Sequence, residues 1–315
     1  MRWSRSNKLM GVIEDVLALI ADRGGRGAVV PVSRFADLRR DLDNLRHGDF
    51  HTRWLDKRAA IADQFVPDTL GFQPRSVIVV VLPSVKVSIR FDDAGTPVEC
   101  LVPPTYTDLD APEAELLSDL NASLCLHGYS AAVVGNRLPA KLLAVHCGLA
   151  LYGRNNIAFS EEFGSYMGVL MFYTDMPCGD TPWHPVGRLP ICEKCYACIV
   201  ACPTGAIDKN REIVDADRCL TALNEPPGVF PDWVTPDMHN CLVGCMKCQD
   251  CCPVNAPFRK LVTQGASFNG DATAELLGHR DGDTYSASLA AQIGDAGLGD
   301  YAEVLPRNLK VLIGR

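Results

Sequence analysis

The feature that most constrains this chain is the spacing of its cysteines between residues 192 and 252. Ten of the fourteen cysteines lie in this stretch. The first run reads C-x2-C-x2-C-x3-C-P and comprises Cys192, Cys195, Cys198, Cys202 and Pro203; a second group comprises Cys245, Cys248, Cys251, Cys252 and Pro253. Such a run wraps a four-iron, four-sulfur cluster, and its fourth cysteine binds a second cluster. The sequence therefore predicts two [4Fe-4S] clusters and one-electron transfer through them.

The interleaved pattern assigns seven of the eight thiolates that two such clusters need. One cluster takes Cys192, Cys195, Cys198 and Cys252, and the other takes Cys202, Cys245 and Cys248. The eighth ligand is Cys219, Cys241 or Cys251. The pattern favours Cys219, which follows an apparent strand at residues 213–214, and Cys241 is the alternative. Cys251 lacks the proline that follows Cys252.

Two other uses of the cysteines fit the pattern less well. Disulfides are not expected, because the chain is long enough to fold without them and shows no secretory signal. Zinc also binds C-x2-C pairs, but three cysteines at this spacing followed by Cys-Pro are typical of a loop around a cluster. The four cysteines outside the region are interpreted as packing residues, with Cys125 buried; they are Cys100, Cys125, Cys147 and Cys178.

Composition limits the classes of partner. The net charge of −8 gives no global attraction to nucleic acid or to anionic lipid. No uncharged apolar run is long enough to span a membrane, so no membrane partner is expected. Glu14, Asp15 and Asp22 interrupt the first apolar stretch, which favours an amphipathic helix over a signal peptide. We therefore expect a cytoplasmic protein.

Apolar periodicity predicts helices and strands in alternation before the cysteines. Residues 7–22 have the period of an amphipathic helix, and residues 76–83 and 166–173 form apolar runs typical of buried strands. Asp110 and Glu113 are predicted to form a capping box. The resulting α+β prediction has a mixed α/β domain at 1–175, a bacterial-type ferredoxin-like module with two [4Fe-4S] clusters at 176–258, and a short helical tail at 259–315.

Six segments of the chain form a further pattern: residues 72–78, 143–156, 164–177, 192–207, 218–219 and 244–255. In content and order they resemble segments of epoxyqueuosine reductases, over about residues 65–258 and with a weak further match at 305–308. The resemblance to reductive dehalogenases is more distant. The resemblance implies a nitroreductase-like N-terminal domain and supports Cys219 as the eighth cluster ligand.

The resemblance also implies cobalamin beside the clusters, fed by an external ferredoxin or flavodoxin, and an acid that protonates the departing oxygen. The residues that it suggests for cobalamin are Gly148, Gly153, Arg154, Asn155, Gly164 and Ser165. Arg154 stands where the family usually has lysine. Residues 103–110 match the family's proton-donor segment poorly. Asp108 is the nearest acid there, and Tyr106 is a second proton source.

The function indicated is that of an iron–sulfur reductase that cleaves a bond reductively. Its substrate is either a small molecule or epoxyqueuosine in tRNA. A basic face for tRNA is not visible, since from residue 256 onward six basic residues accompany seven acidic ones. The alternative is an electron-transfer protein of the ferredoxin type, whose N-terminal domain docks a partner enzyme.

Overall fold

A computed structural model describes residues 2–48, 65–106, 109–211, 213–280 and 282–314. Its helices are α1 (Arg2–Asp22), α2 (Phe35–Arg46), α3 (Asp110–Cys125), α4 (Ala140–His146), α5 (Ala197–Ala201), α6 (Leu220–Asn224), α7 (Lys247–Asp250), α8 (Gly270–Gly278), α9 (Ala287–Asp295) and α10 (Leu305–Ile313). Its strands are β1 (Arg26–Pro31), β2 (Ser76–Pro83), β3 (Lys86–Asp93), β4 (Thr96–Val102), β5 (Ala131–Val133), β6 (Leu151–Tyr152), β7 (Ala158–Phe159), β8 (Met167–Thr174) and β9 (Val262–Phe268).

The chain divides into two compact units that are interleaved in sequence. The first comprises Met1–Pro83 and Leu109–Lys194, and the second comprises Ser84–Asp108 and Cys195–Arg315. The division at residues 175 and 258 stays a prediction. None of the described helices is both long and apolar enough to cross a membrane.

A four-stranded antiparallel sheet forms the centre of the first unit, in the order β1-β2-β8-β5. Successive side chains of a strand point to opposite faces. On β2, Val77, Val79 and Val81 enter a core shared with α2 and α4, whereas Ile78 and Val80 enter a second core shared with α1 and α3. Both faces of β2 are therefore buried, which explains its continuous apolar run and confirms the predicted strand.

A three-stranded sheet, β4-β3-β9, organises the part of the second unit outside the cysteine region. Ala94 and Gly95 join β3 to β4 with φ angles of 52° and 87°, as a two-residue hairpin turn with two left-handed residues requires. Strand β9 runs parallel to β3. Phe91 stacks on Phe268 with ring centroids 4.9 Å apart, in a core that also includes residues of α8, α9 and α10.

Several local predictions were wrong. The tail after residue 258 begins with strand β9 before its three helices, so it is not helical throughout. Helix α3 begins at Asp110 itself, after an N-cap at Leu109 that makes no side-chain capping bond, so the capping box does not form. Of the described residues between 203 and 214, none lies in a strand. Cys125, expected to be buried, is exposed.

Candidate iron–sulfur centre

The two cysteine motifs have the same local architecture, a very short helix followed by Cys-Pro. Cys198 lies in α5, which ends at Cys202, and Cys248 lies in α7, shortly before Cys252. Cys202 and Cys252 have extended backbones, with ψ of 111° and 125°. A following proline disfavours helical backbone, so the chain leaves the helical conformation at both of these cysteines. Helices α5 and α7 contact each other.

Three of the cysteines predicted for the second cluster lie together. Burial raises the pKa of the Cys245 thiol to about 12, and the neighbouring thiols of Cys219 and Cys202 contribute to the rise. Burial also raises the pKa of Cys219, while the backbone N–H groups of Ala222 and Thr221 oppose it and Cys202 adds to it. The Cys245 thiol thus lies near those of Cys219 and Cys202, as expected for ligands of one cluster. Their roles as ligands stay predictions.

The neighbours of Cys241 differ from those of Cys219. Cys241 is 1% exposed, and burial is the main cause that raises the pKa of its thiol, with Cys245 next. Cys219 interacts with both Cys202 and Cys245, at the N-terminus of α6. This arrangement favours Cys219 as the eighth ligand and leaves Cys241 as packing beside Cys245.

The end of the second motif lies beside the first motif. Burial raises the pKa of Cys251, and Cys252 and Cys195 both contribute. This proximity supports the predicted return of Cys252 to the cluster of Cys195. Among the described residues, no three His, Cys, Asp or Glu side chains are grouped closely enough for a single metal ion. A four-iron cluster takes one thiolate on each iron and so holds its cysteines farther apart.

Buried asparagines, which the sequence did not reveal, connect the loops around Cys245. Asn224 donates to the carbonyl of Gly244 at 2.7 Å and accepts from the N–H of Gly244 at 2.8 Å. From α10, the Asn308 amide donates to the carbonyls of Asn224 and Leu242, both at 2.9 Å. The weak resemblance at residues 305–308 was the only signal for this contact.

The structure describes only one of the two predicted proton sources. Asp108 lies outside the described residues. Tyr106 donates a hydrogen bond to Glu225, and burial, followed by the charge of Glu225, raises the pKa of its phenol. Its ring lies against Gly244, where an added Cβ would come within 2.5 Å of Tyr106 Cε2. Tyr106 therefore stays protonated beside the Cys245 loop, and its catalytic role stays a prediction.

In the first unit, the glycines predicted to bind cobalamin lie in turns of the backbone. Gly148 closes α4 with φ of 74°, and an added Cβ would lie 2.9 Å from the His184 ring. Gly153 donates its N–H to the carbonyl of Ile157 at 2.8 Å, in the turn between β6 and β7. Gly164, with φ of 57°, exchanges two backbone hydrogen bonds with Ser160.

The polar residues of the same set are committed to internal contacts. The buried guanidinium of Arg154 donates to the carbonyl of Cys192, and Asn155 Oδ1 accepts from the N–H of Ile157 at 3.3 Å. Ser165 is also buried. As they stand, these buried side chains do not fit a surface that holds a corrin ring, and cobalamin binding stays a prediction.

Comparison with known proteins identifies the cysteine region. Residues 191–255 match the family model of the 4Fe-4S double cluster binding domain. The chain carries a double [4Fe-4S] cluster domain. The epoxyqueuosine reductase of Bacillus subtilis (strain 168) is 32% identical over 118 residues, or 38% of this chain and 29% of that protein. The sequence match thus spans less than a third of that relative's length.

Solved structures extend the similarity over the whole fold. An epoxyqueuosine reductase from Bacillus subtilis superposes with a TM-score of 0.67 at 20% identity, covering 97% of this chain and 82% of that one. An epoxyqueuosine reductase crystallised with an epoxyqueuosine-modified tRNA-Tyr stem loop gives 0.64 at 19% identity, with 97% and 81% covered. A reductive dehalogenase gives a TM-score of only 0.38 at 14% identity, covering 76% of this chain and 31% of that one. The predicted resemblance to epoxyqueuosine reductases and the predicted α+β fold class are confirmed.

Proposed function

We propose that this chain is an iron–sulfur reductase that acts on epoxyqueuosine in tRNA. The observation that carries the proposal is the superposition of 97% of the chain on an epoxyqueuosine reductase crystallised with an epoxyqueuosine-modified stem loop. The double cluster domain supplies the electron chemistry that such a reductase needs. A small-molecule substrate is the second candidate, because the acidic net charge offers no general attraction to tRNA.

The chemistry sets what the protein must provide. Removal of an epoxide oxygen as water takes two electrons and two protons. A [4Fe-4S] cluster passes one electron at a time. We propose Cys192, Cys195, Cys198 and Cys252 as ligands of one cluster and Cys202, Cys219, Cys245 and Cys248 as ligands of the other. An external ferredoxin or flavodoxin is the proposed donor, which must reduce the chain twice per turnover.

Asp108 and Tyr106 are the proposed proton sources. A carboxylic acid transfers a proton readily near neutral pH, whereas burial and Glu225 raise the pKa of Tyr106 and make it a weaker acid. The Asp108→Asn variant is therefore expected to lose more turnover than Tyr106→Phe. Loss only in Tyr106→Phe would assign the proton to the tyrosine, and equal loss in both variants would contradict the larger role of Asp108.

Cobalamin is the second cofactor that the resemblance implies, and it needs a test independent of turnover. The anaerobically reconstituted protein is incubated with cobalamin and dialysed, and retained cobalt is measured with the Co(II) EPR signal. Retention near one equivalent would support the cobalamin prediction. Loss of all cobalt would contradict the cobalamin prediction and favour a flavin, or the clusters alone, as the redox centre.

A single-turnover assay tests the proposed function. The cluster-loaded protein should contain about eight irons, four for each cluster of the double domain. With dithionite and an epoxyqueuosine-modified stem loop, we expect the nucleoside to lose one oxygen atom by mass spectrometry. Cys219→Ala should abolish the conversion, whereas Cys125→Ala, which changes an exposed cysteine outside the cluster region, should not.

The competing functions give different results in the same assay. Conversion of the free nucleoside but not of the stem loop would favour the small-molecule candidate. A loaded protein that passes electrons to an acceptor protein, yet leaves both substrates unchanged, would support the electron-transfer alternative and contradict our proposal. Binding of the stem loop that weakens as salt is raised would support direct tRNA recognition.

A further inference from the structure

A buried lysine lies among the cysteine loops of the second unit. Lys86 is the first residue of β3, and its Nζ is 3.1 Å from Asp250 Oδ1 on α7. The lysine side chain is 7% exposed and the aspartate side chain 34%. Lysine is almost never buried to this extent unless it is paired. This ion pair is not explained by the ligand pattern of the clusters.

The pair is positioned to act on the second cysteine group. Asp250 shares the four-residue helix α7 with Cys248 and precedes Cys251 and Cys252 in the chain. Its N–H donates to the carbonyl of Met246 at 2.7 Å, which fixes it to the loop that begins at Cys245. Lys86 is therefore attached, through Asp250, to the backbone that carries two predicted cluster ligands.

The lysine end of the pair is shielded from water. The Lys86 side chain is 7% exposed, and Asp250, its partner at 3.1 Å, lies two residues after Cys248 in the same short helix. In a region shielded from water, charge interactions are much stronger than in solvent.

We propose that Lys86 raises the reduction potential of the [4Fe-4S] cluster held by Cys245 and Cys248. Reduction adds one electron to the cluster, and a nearby positive charge stabilises the reduced form. Net charge near the cluster is one of the factors that set such potentials. Asp250 opposes Lys86, but it is more exposed, and water screens its charge more effectively.

The inference rests on the proposed clusters, and its test separates the two. An anaerobic redox titration of the loaded protein, followed by EPR, gives the midpoint potentials without any substrate. In Lys86→Met, we expect the reduced-to-oxidised ratio of one cluster to fall about tenfold at a fixed potential, which is 59 mV for a one-electron couple. Asp250→Asn should shift the same cluster in the opposite direction.

Further variants distinguish an electrostatic role from a structural one. Lys86→Arg keeps the charge and should keep the potential near that of the unchanged protein, and the double variant Lys86→Met/Asp250→Asn should fall between the single variants. Lys260→Met, at an exposed lysine of the same unit, is the matched control and should leave both potentials unchanged. If Lys86→Met fails to assemble its clusters, the midpoint potentials of Asp250→Asn still test the proposal.

The outcomes separate this inference from the proposed function. Potentials that stay unchanged in Lys86→Met and Asp250→Asn, or that shift in the same direction in both, would overturn the inference while the loaded protein still converts its substrate. A protein that never takes up iron would instead contradict the proposed function. Opposite shifts of a single cluster would support the assignment of Lys86.

Discussion

The sheet of the first unit and the cysteine loops of the second are stabilised in different ways. In the sheet, β2 and β8 pair along eight residues and bury aliphatic side chains on both faces. In the cysteine region, α5, α6 and α7 have only five, five and four residues. Isolated helices this short are unstable in water. We therefore expect the sheet to fold without iron and the loops to depend on polar cross-links and on bound iron.

Removal of iron should produce the largest difference between these regions. Because a ligand set rarely forms in the unfolded chain, the binding energy of a metal centre contributes directly to folding. After anaerobic chelation, we expect the amides of α5, α6 and α7 to lose protection from hydrogen exchange, while those of β2 and β8 keep it. Mass spectrometry of peptides from each region measures the difference, and equal loss in both would contradict the comparison.

Two cysteine variants test the source of this iron dependence within the loops. Cys219→Ala removes a proposed ligand, so the protein should lose about four of its eight irons. Cys241→Ala removes a buried thiol beside Cys245 and should keep its iron, with only a packing cost. Iron analysis and the absorbance of the clusters compare the two. If Cys241→Ala lost iron and Cys219→Ala kept it, the eighth ligand would be Cys241.

The same contrast explains what the sequence could predict. Strands β2 and β8 were predicted because apolar runs buried on both faces leave a signal in adjacent residues. The double cluster domain was predicted because its ligand spacing is local and chemically specific. Strand β9 was missed, since most of its residues are exposed and its pairing with β3 joins segments far apart in the chain.

Contacts between distant segments account for the rest of the site. Lys86 and Asp250 are 164 residues apart, and Asn308 and Asn224 are 84 apart. Neither pair has a spacing that a sequence pattern could reveal, because the fold alone brings the partners together. The cobalamin residues were predicted from a local motif instead, and their role stays a prediction. The structure places the glycines among them in turns.

A core substitution in the sheet should have a large effect that is independent of iron. Ile78 is fully buried on β2, so Ile78→Ala is expected to lower the free energy of unfolding of the first unit by about 2–5 kcal/mol. In urea denaturation, with unfolding monitored by hydrogen exchange of the β8 amides, the loss of unfolding free energy should be the same with and without iron. A loss that appeared only in the iron-loaded protein would show that the sheet also depends on the clusters.

The matching substitution in the loops is Asn308→Ala. It removes the hydrogen bonds to the carbonyls of Asn224 and Leu242, both inside the second unit, and should cost about 2 kcal/mol. We expect these loops to be ordered only with iron, so the cost should nearly vanish after chelation. Denaturation of the loaded and iron-free proteins measures it. An equal cost in both forms would mean that the asparagines order the loops without metal.

The smallest expected effect is that of a helix-cap substitution in α8. It tests whether this part of the second unit depends on iron as the cysteine loops do. Asn269 caps α8 by accepting the N–H of Ala272 at 2.9 Å. Asn269→Ala should destabilise this helix by about 1 kcal/mol, and Asn269→Ser should restore most of it. Helix α8 shares its core with β3 and β9, so this cost should be the same with and without iron. If chelation abolished it, the helices of the tail would depend on the clusters as the cysteine loops do, and only the first unit would fold independently of iron.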